Sequence, residues 1–179
     1  MKSRNLLELK TVVVLLVILV LNGIAFFYLL QMDSFVHKDL YSYGLVFNYA
    51  WANEYWRCNQ LAWTFLWGAT ALVAFSIVPH YMYSEERSRF SKTVGFFLPT
   101  FALAYQVLSI FFLSQTGSVV LNTLNLQGIA DTIDLTLVYD PVVGTAFALM
   151  GIAVVMLFIP MIRALDIIEI EIVDEIMED

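Results

Sequence analysis

The fold is decided by residues 11–31, TVVVLLVILVLNGIAFFYLLQ, a run of 21 residues without a charged side chain. At a helical rise of about 1.5 Å per residue it measures roughly 30 Å, the thickness of the hydrocarbon core of a bilayer. Three further uncharged stretches follow, over about residues 61–83, 94–114 and 142–162. The sequence therefore predicts four transmembrane helices.

The composition of the whole chain is typical of a membrane protein. Of the 179 residues 60% are apolar, and the mean hydropathy is +0.78, whereas soluble domains are about 45–50% apolar. The formal net charge is −7, which argues against nucleic acid as a partner because phosphate binding needs a surface of Lys and Arg. Cys58 is the only cysteine, so neither a disulfide within the chain nor a site of several thiolates can form.

The predicted fold is all-α, a single four-helix transmembrane bundle over residues 1–179 whose main partner is the lipid bilayer. In the first connection, residues 39–58 carry aromatic and apolar groups at helical spacing, which predicts a short separate helix at the membrane interface. Asn59 then serves as N-cap of the second span. The second connection, residues 115–140, has a mixed pattern that favours a broken helix over a hairpin.

The distribution of basic residues predicts which side of the membrane each end occupies. One side holds Lys2, Arg4, Lys10, Arg87, Arg89, Lys92 and Arg163. The other side holds only Lys38 and Arg57. Because cytoplasmic connections are enriched in Lys and Arg, both termini are predicted to be cytoplasmic, in a multi-pass protein of the cell membrane.

Three polar side chains fall near the middle of the spans, namely Asn22, Thr70 and Gln106. An amide in hydrocarbon is costly unless it finds a hydrogen-bond partner. We therefore expect a layer of hydrogen bonds between helices, which is the common use of such groups. The alternative is a polar lining for the path of a small solute.

The fourth span carries small residues at Gly144, Ala148 and Gly151, a spacing that places them along one face of a helix. Small residues let two helix backbones approach closely. This stripe is predicted to pack against another span of the same chain. Contact with a second subunit is the alternative.

Two further features are candidate surfaces for a protein partner or for self-association. The aromatic residues of the first connection, Tyr43, Phe47, Trp51, Tyr55 and Trp56, form either an interfacial anchor or a docking surface. The tail, residues 163–179, has seven acids between Asp166 and Asp179 and isoleucines at helical spacing. It is predicted to continue the fourth helix, either as a solvated end or as a docking site for a basic partner protein.

Catalytic and cofactor-binding signatures are missing from the sequence. The spans hold no Asp, Glu, Lys or Arg, although proton relays and ion-coupled carriers usually place one there. No catalytic, cofactor-binding or metal-binding residue is therefore predicted. The favoured function is a non-catalytic scaffold or accessory subunit of a membrane assembly, or a homo-oligomer. The alternatives are a small channel or carrier, and an enzyme that acts on a lipid or quinone at the outer interface with loop carboxylates (Glu54, Asp131, Asp134 and Asp140).

Overall fold

A computed structural model describes residues 2–34, 49–81, 89–126 and 135–178, and side chains within the four apolar segments of these ranges. The described residues form four α-helices: α1 (Lys2–Ser34), α2 (Tyr49–Tyr81), α3 (Arg89–Leu126) and α4 (Leu135–Glu178). Each helix contains one segment long and apolar enough to cross a membrane, over Leu9–Ser34, Glu54–Pro79, Val94–Val120 and Pro141–Leu165. The prediction of an all-α chain with four such helices is confirmed.

The four helices pack in a ring. The most extensive interface joins α2 to α3, followed by that between α1 and α4, and smaller interfaces of α3 with α4 and of α1 with α2 close the ring. The helices α1 and α3 therefore lie diagonally across the bundle. Near the termini, the Arg163 Nη1 donates a hydrogen bond to the Thr11 Oγ1 at 2.8 Å. This contact places the start of the first span and the end of the fourth span at the same end of the bundle.

The core consists of two clusters of buried apolar side chains, one near each end of the bundle. The near cluster, on the side of Thr11 and Arg163, contains Leu15, Ile18, Val73, Ala102, Ala153 and Leu157. The far cluster contains Ala25, Leu29, Met32, Tyr55, Ala62, Leu66, Leu113, Val120, Val143, Ala146 and Met150. The chain passes from the near to the far cluster along α1 and α3, and back along α2 and α4. The topology is therefore up-down-up-down.

The helices extend further than the hydrophobic runs alone indicated. Since α2 begins at Tyr49, the described part of the predicted interfacial helix is the continuous start of α2, and Asn59 lies inside this helix instead of capping it. Residues 39–48 lie outside the described residues. α3 continues to Leu126 and α4 begins at Leu135, so much of the second connection is helical. The backbone of α4 runs unbroken to Glu178, as the favoured interpretation of the tail requires.

The small-residue stripe of α4 lies elsewhere than predicted. Gly144 and Ala148 are exposed on the outside of the bundle, and a Cβ built on Gly144 or Gly151 meets nothing within 4 Å. Gly144 and Ala148 thus face away from the core, because the core face of α4 is the one that carries Ala146, Met150 and Ala153. Contact with a second subunit stays a prediction.

A close helix approach occurs instead between α2 and α3. A Cβ built on Gly68 would lie 2.6 Å from the Cε1 of Tyr105, well inside van der Waals contact. The ring of Tyr105 thus lies directly on the backbone of α2. The neighbouring Phe65 packs edge-on against it, with 5.4 Å between ring centroids.

Candidate functional site: a polar layer at the middle of the bundle

The structure brings Asn22, Thr70 and Gln106 together. The Asn22 Nδ2 donates to the Gln106 Oε1 at 3.3 Å, and the Gln106 Nε2 donates back to the Asn22 Oδ1 at 3.0 Å. The Asn22 Nδ2 also donates to the Thr70 Oγ1 at 3.2 Å, while the Thr70 hydroxyl donates to the carbonyl of Leu66 at 2.7 Å. The side chains of Asn22 and Gln106 are 0% exposed. These three residues are called the polar layer below.

The polar layer separates the two apolar clusters of the core. On α1, Asn22 falls between Ile18 of the near cluster and Ala25 of the far cluster. Ile18, Asn22 and Ala25 are spaced three and four residues apart, so they share one face of the helix. The amide pair joins α1 to α3 across the diagonal of the ring. The hydrogen bond from Asn22 to Thr70 also joins α1 to α2. One bonded layer therefore fixes the relative heights of three helices.

The chemistry available to the polar layer is limited by its composition. Carboxamides and a hydroxyl hold no titratable group in the physiological range, so the layer cannot act as a general acid or base. Asn22 donates its two N–H hydrogens to Thr70 and Gln106, and its carbonyl oxygen accepts a hydrogen bond from Gln106. A further buried hydroxyl, on Ser109, donates to the Ala62 carbonyl at 2.7 Å. The polar groups at this depth are thus turned toward one another and toward helix backbone.

A second polar cluster, which the sequence analysis did not predict, joins α1 to α2 at the far end of the bundle. The Tyr55 hydroxyl and the Asn59 Nδ2 both donate to the Asp33 Oδ1, at 3.3 and 3.2 Å. The Trp63 Nε1 donates to the Asn59 Oδ1 at 3.2 Å. Tyr55 and Asn59 are buried, whereas Asp33 is half-buried. We call these four residues the far-end cluster.

The sequence did contain a signal for the far-end cluster. Tyr55, Asn59 and Trp63 are spaced four residues apart, so they follow one face of a single helix. The spacing is evident only when residues 49–81 are taken as one helix. Tyr55, which the sequence places on the candidate partner surface, is buried in the bundle. Trp56 is exposed, while the side chains of Tyr43, Phe47 and Trp51 lie outside the described residues.

The far-end cluster leads to a first prediction. Replacing Asp33 with leucine removes the acceptor of the buried Asn59 Nδ2, and an orphaned buried donor costs about 1–3 kcal/mol. We expect Asp33→Leu to lower the free energy of unfolding by about 2 kcal/mol, and Asp33→Asn, which keeps one oxygen acceptor, by less than half as much. Unfolding in mixed micelles at increasing SDS fraction measures this difference. Gln31→Leu, at an exposed position of the same helix, is the control, and equal losses for both Asp33 variants would contradict the prediction.

The loop acids proposed for an enzyme are only partly described. Glu54 is exposed, and the side chains of Asp131, Asp134 and Asp140 lie outside the described residues. Among the residues that the structure describes, no three His, Cys, Asp or Glu side chains come together as a group able to hold a metal ion. Comparisons with protein-family models, curated proteins and solved structures find no match for this chain. The function is therefore inferred from the geometry of the bundle itself.

Proposed function

We propose that this chain is a non-catalytic component of a membrane assembly, acting as a scaffold or accessory subunit or as a homo-oligomer. The observation that supports this proposal best is the polar layer. Its two amides are fully buried and paired with each other, and packed apolar clusters lie on both sides of it. A path for a solute needs polar groups that face an opening, whereas here they bond to one another.

The proposed orientation places both termini in the cytoplasm of a protein of the cell membrane. The basic residues of the sequence support it. So do the described charges at the two ends of the bundle, with Lys10 and Arg163 at the near end, and Asp33, Glu54 and Arg57 at the far end. A membrane-impermeant reagent that labels a tag on either terminus from outside intact cells would overturn this orientation.

The regions beyond the bilayer are the proposed docking elements. α4 continues from Leu165 to Glu178, which corresponds to about 20 Å of helix beyond the apolar segment. Its sequence over residues 166–179 is acidic, which suits a basic partner. At the far end, the aromatic residues around Trp51 and Trp56 are proposed to lie at the outer interface, where such side chains are favoured.

A channel or carrier is the competing function, because the polar layer bridges diagonal helices and so lies near the bundle axis. The double variant Asn22→Leu with Gln106→Leu separates the two functions in vesicles loaded with carboxyfluorescein, K⁺ or glycerol. We expect vesicles with the wild-type protein or the double variant to release each solute no faster than protein-free vesicles. The control is Thr64→Leu, at an exposed position of α2 whose hydroxyl bonds only to its own helix. Release that depends on the wild-type protein and disappears in a folded double variant would overturn the proposal.

A further inference from the structure

A proline lies inside the apolar segment of α4, on the face that meets the core. The buried side chains of this stretch, Leu157, Pro160 and Ala164, are spaced three and four residues apart and so share one face of the helix. Pro160 has no N–H, so the carbonyl of Met156 lacks the hydrogen bond that an α-helix supplies from four residues further on. The proline ring also crowds that carbonyl, which weakens a helix and favours a bend at this turn.

Three residues beyond Pro160, the side chain of Arg163 holds α4 against α1. Its Nη1 donates a hydrogen bond to the Thr11 Oγ1 at 2.8 Å, and Thr11 is only 2% exposed. Hydrogen bonds from a charged donor are among the stronger ones in proteins. Because this contact lies on the C-terminal side of Pro160, it fixes the direction in which the helix continues beyond the proline.

The terminal arm of α4, residues 161–178, begins directly after the proline. Its backbone is helical to Glu178, so the arm is about 27 Å long. Crowding by a proline ring opens the face of the helix that carries the ring. Since Pro160 is on the buried face, the favoured bend turns the arm away from the core, and the contact between Arg163 and Thr11 acts against this bend. A change of about 20° at the proline moves the end of the arm by roughly 9 Å.

We propose that Pro160 is a hinge for the terminal arm, and that the contact between Arg163 and Thr11 holds the arm in one of two positions. The inference rests on the proposed function, in which the acidic residues 166–179 dock a basic partner, and it describes how the direction of that docking element is set. With the contact formed, the arm continues alongside the end of α1. With the contact broken, the arm turns outward, and a partner that binds one position better shifts the population toward it.

The experiment measures the distance between two spin labels by pulsed electron paramagnetic resonance, on full-length protein in lipid nanodiscs. In a Cys58→Ser background, one label is attached to a cysteine at Leu16, an exposed position of α1. The other is attached to a cysteine at Met177, near the end of the arm. The distance between the two labels reports the direction of the arm relative to the bundle.

Thr11→Val tests the contact, because it keeps the shape of the side chain and removes the hydroxyl that accepts the hydrogen bond. We expect it to raise the ratio of longer to shorter distances about tenfold, since a hydrogen bond from a charged donor is lost. Thr64→Val is the control, because its hydroxyl bonds within α2, and it is expected to leave the distances as they are in the wild type. A distance distribution that Thr11→Val does not change would overturn the proposal.

Two proline variants test the hinge in the Thr11→Val background. Pro160→Ala restores an N–H to the carbonyl of Met156 and is expected to abolish the longer distances. Pro99→Ala is the matched control, since Pro99 is also buried but belongs to α3, and it is expected to preserve them. Longer distances that persist in Pro160→Ala, or that both proline variants abolish alike, would contradict the hinge.

Failure of the hinge is distinguishable from failure of the proposed function. If the arm keeps one direction in every variant while the solute-release assay is negative, the hinge is overturned and the proposed function survives. Release that depends on Asn22 and Gln106 overturns the proposed function, whichever direction the arm takes.

Discussion

Replacing Asn22 alone with leucine is expected to destabilise the bundle by about 2 kcal/mol. The amide of Gln106 then loses both hydrogen bonds that it makes with Asn22. It stays buried in the core with no water to replace them, and an orphaned buried group costs more than a hydrogen bond contributes. Gln106→Leu is expected to have the same effect, because it orphans the amide of Asn22.

Replacing both residues with leucine is expected to cost less than either single change. The double variant leaves no unpaired amide, since Thr70 keeps its hydrogen bond to the Leu66 carbonyl. The two leucines join the apolar clusters on either side of the layer. We expect the double variant to unfold within about 1 kcal/mol of the wild type, as removing both partners of a buried hydrogen bond is often nearly neutral.

The double-mutant cycle is measured by reversible unfolding in mixed micelles or by steric trapping in bicelles. Thr64→Leu, at an exposed position of α2, serves as the control and is expected to change stability by less than about 0.5 kcal/mol. Additive losses in the double variant would show that the two amides contribute independently. That result would contradict the closed layer and favour amides that each bond to water.

The positions of these amides could be predicted from the sequence because hydrocarbon leaves few alternatives. A carboxamide in the middle of an uncharged span must find a partner, and the spans of α1, α2 and α3 each contain a polar group at a similar depth. The identity of the pair could not be predicted in this way. It depends on which helices lie diagonally, and hydrophobic runs carry no information about neighbours.

The differences between the predicted and the observed helix ends and faces have a common physical origin. The end of a hydrophobic run marks the edge of the lipid, whereas a helix ends only where its backbone hydrogen bonds end. For this reason α2 begins before its apolar segment, and Asn59 pairs with Asp33 instead of capping. The orientation of α4 about its own axis could not be predicted from the sequence either. Because both faces of a transmembrane helix are apolar, the stripe at Gly144 does not reveal which face meets the core.

Gly68 is where a single methyl group is expected to have the largest effect among the glycines with described surroundings. Gly68→Ala places a Cβ 2.6 Å from the Cε1 of Tyr105, so the ring must move or α2 and α3 must separate. Overpacking of this kind typically costs about 1–3 kcal/mol. Gly144→Ala is the matched control, because its Cβ meets nothing within 4 Å. It is expected to be neutral or stabilising by up to about 1 kcal/mol, given the helix propensity of alanine.

The origin of the destabilisation by Gly68→Ala can be isolated, because the three atoms nearest to the added Cβ all belong to Tyr105. Tyr105→Ala removes the ring and is expected to destabilise the α2–α3 interface by itself. In that background the Gly68→Ala change should cost almost nothing further, and the double variant should unfold at the same SDS fraction as Tyr105→Ala alone. A full additional loss in the double variant would mean that the methyl group clashes with the backbone of α3. The approach of α2 to α3 would then be set by the two backbones, and the Tyr105 ring would only fill the space beside them.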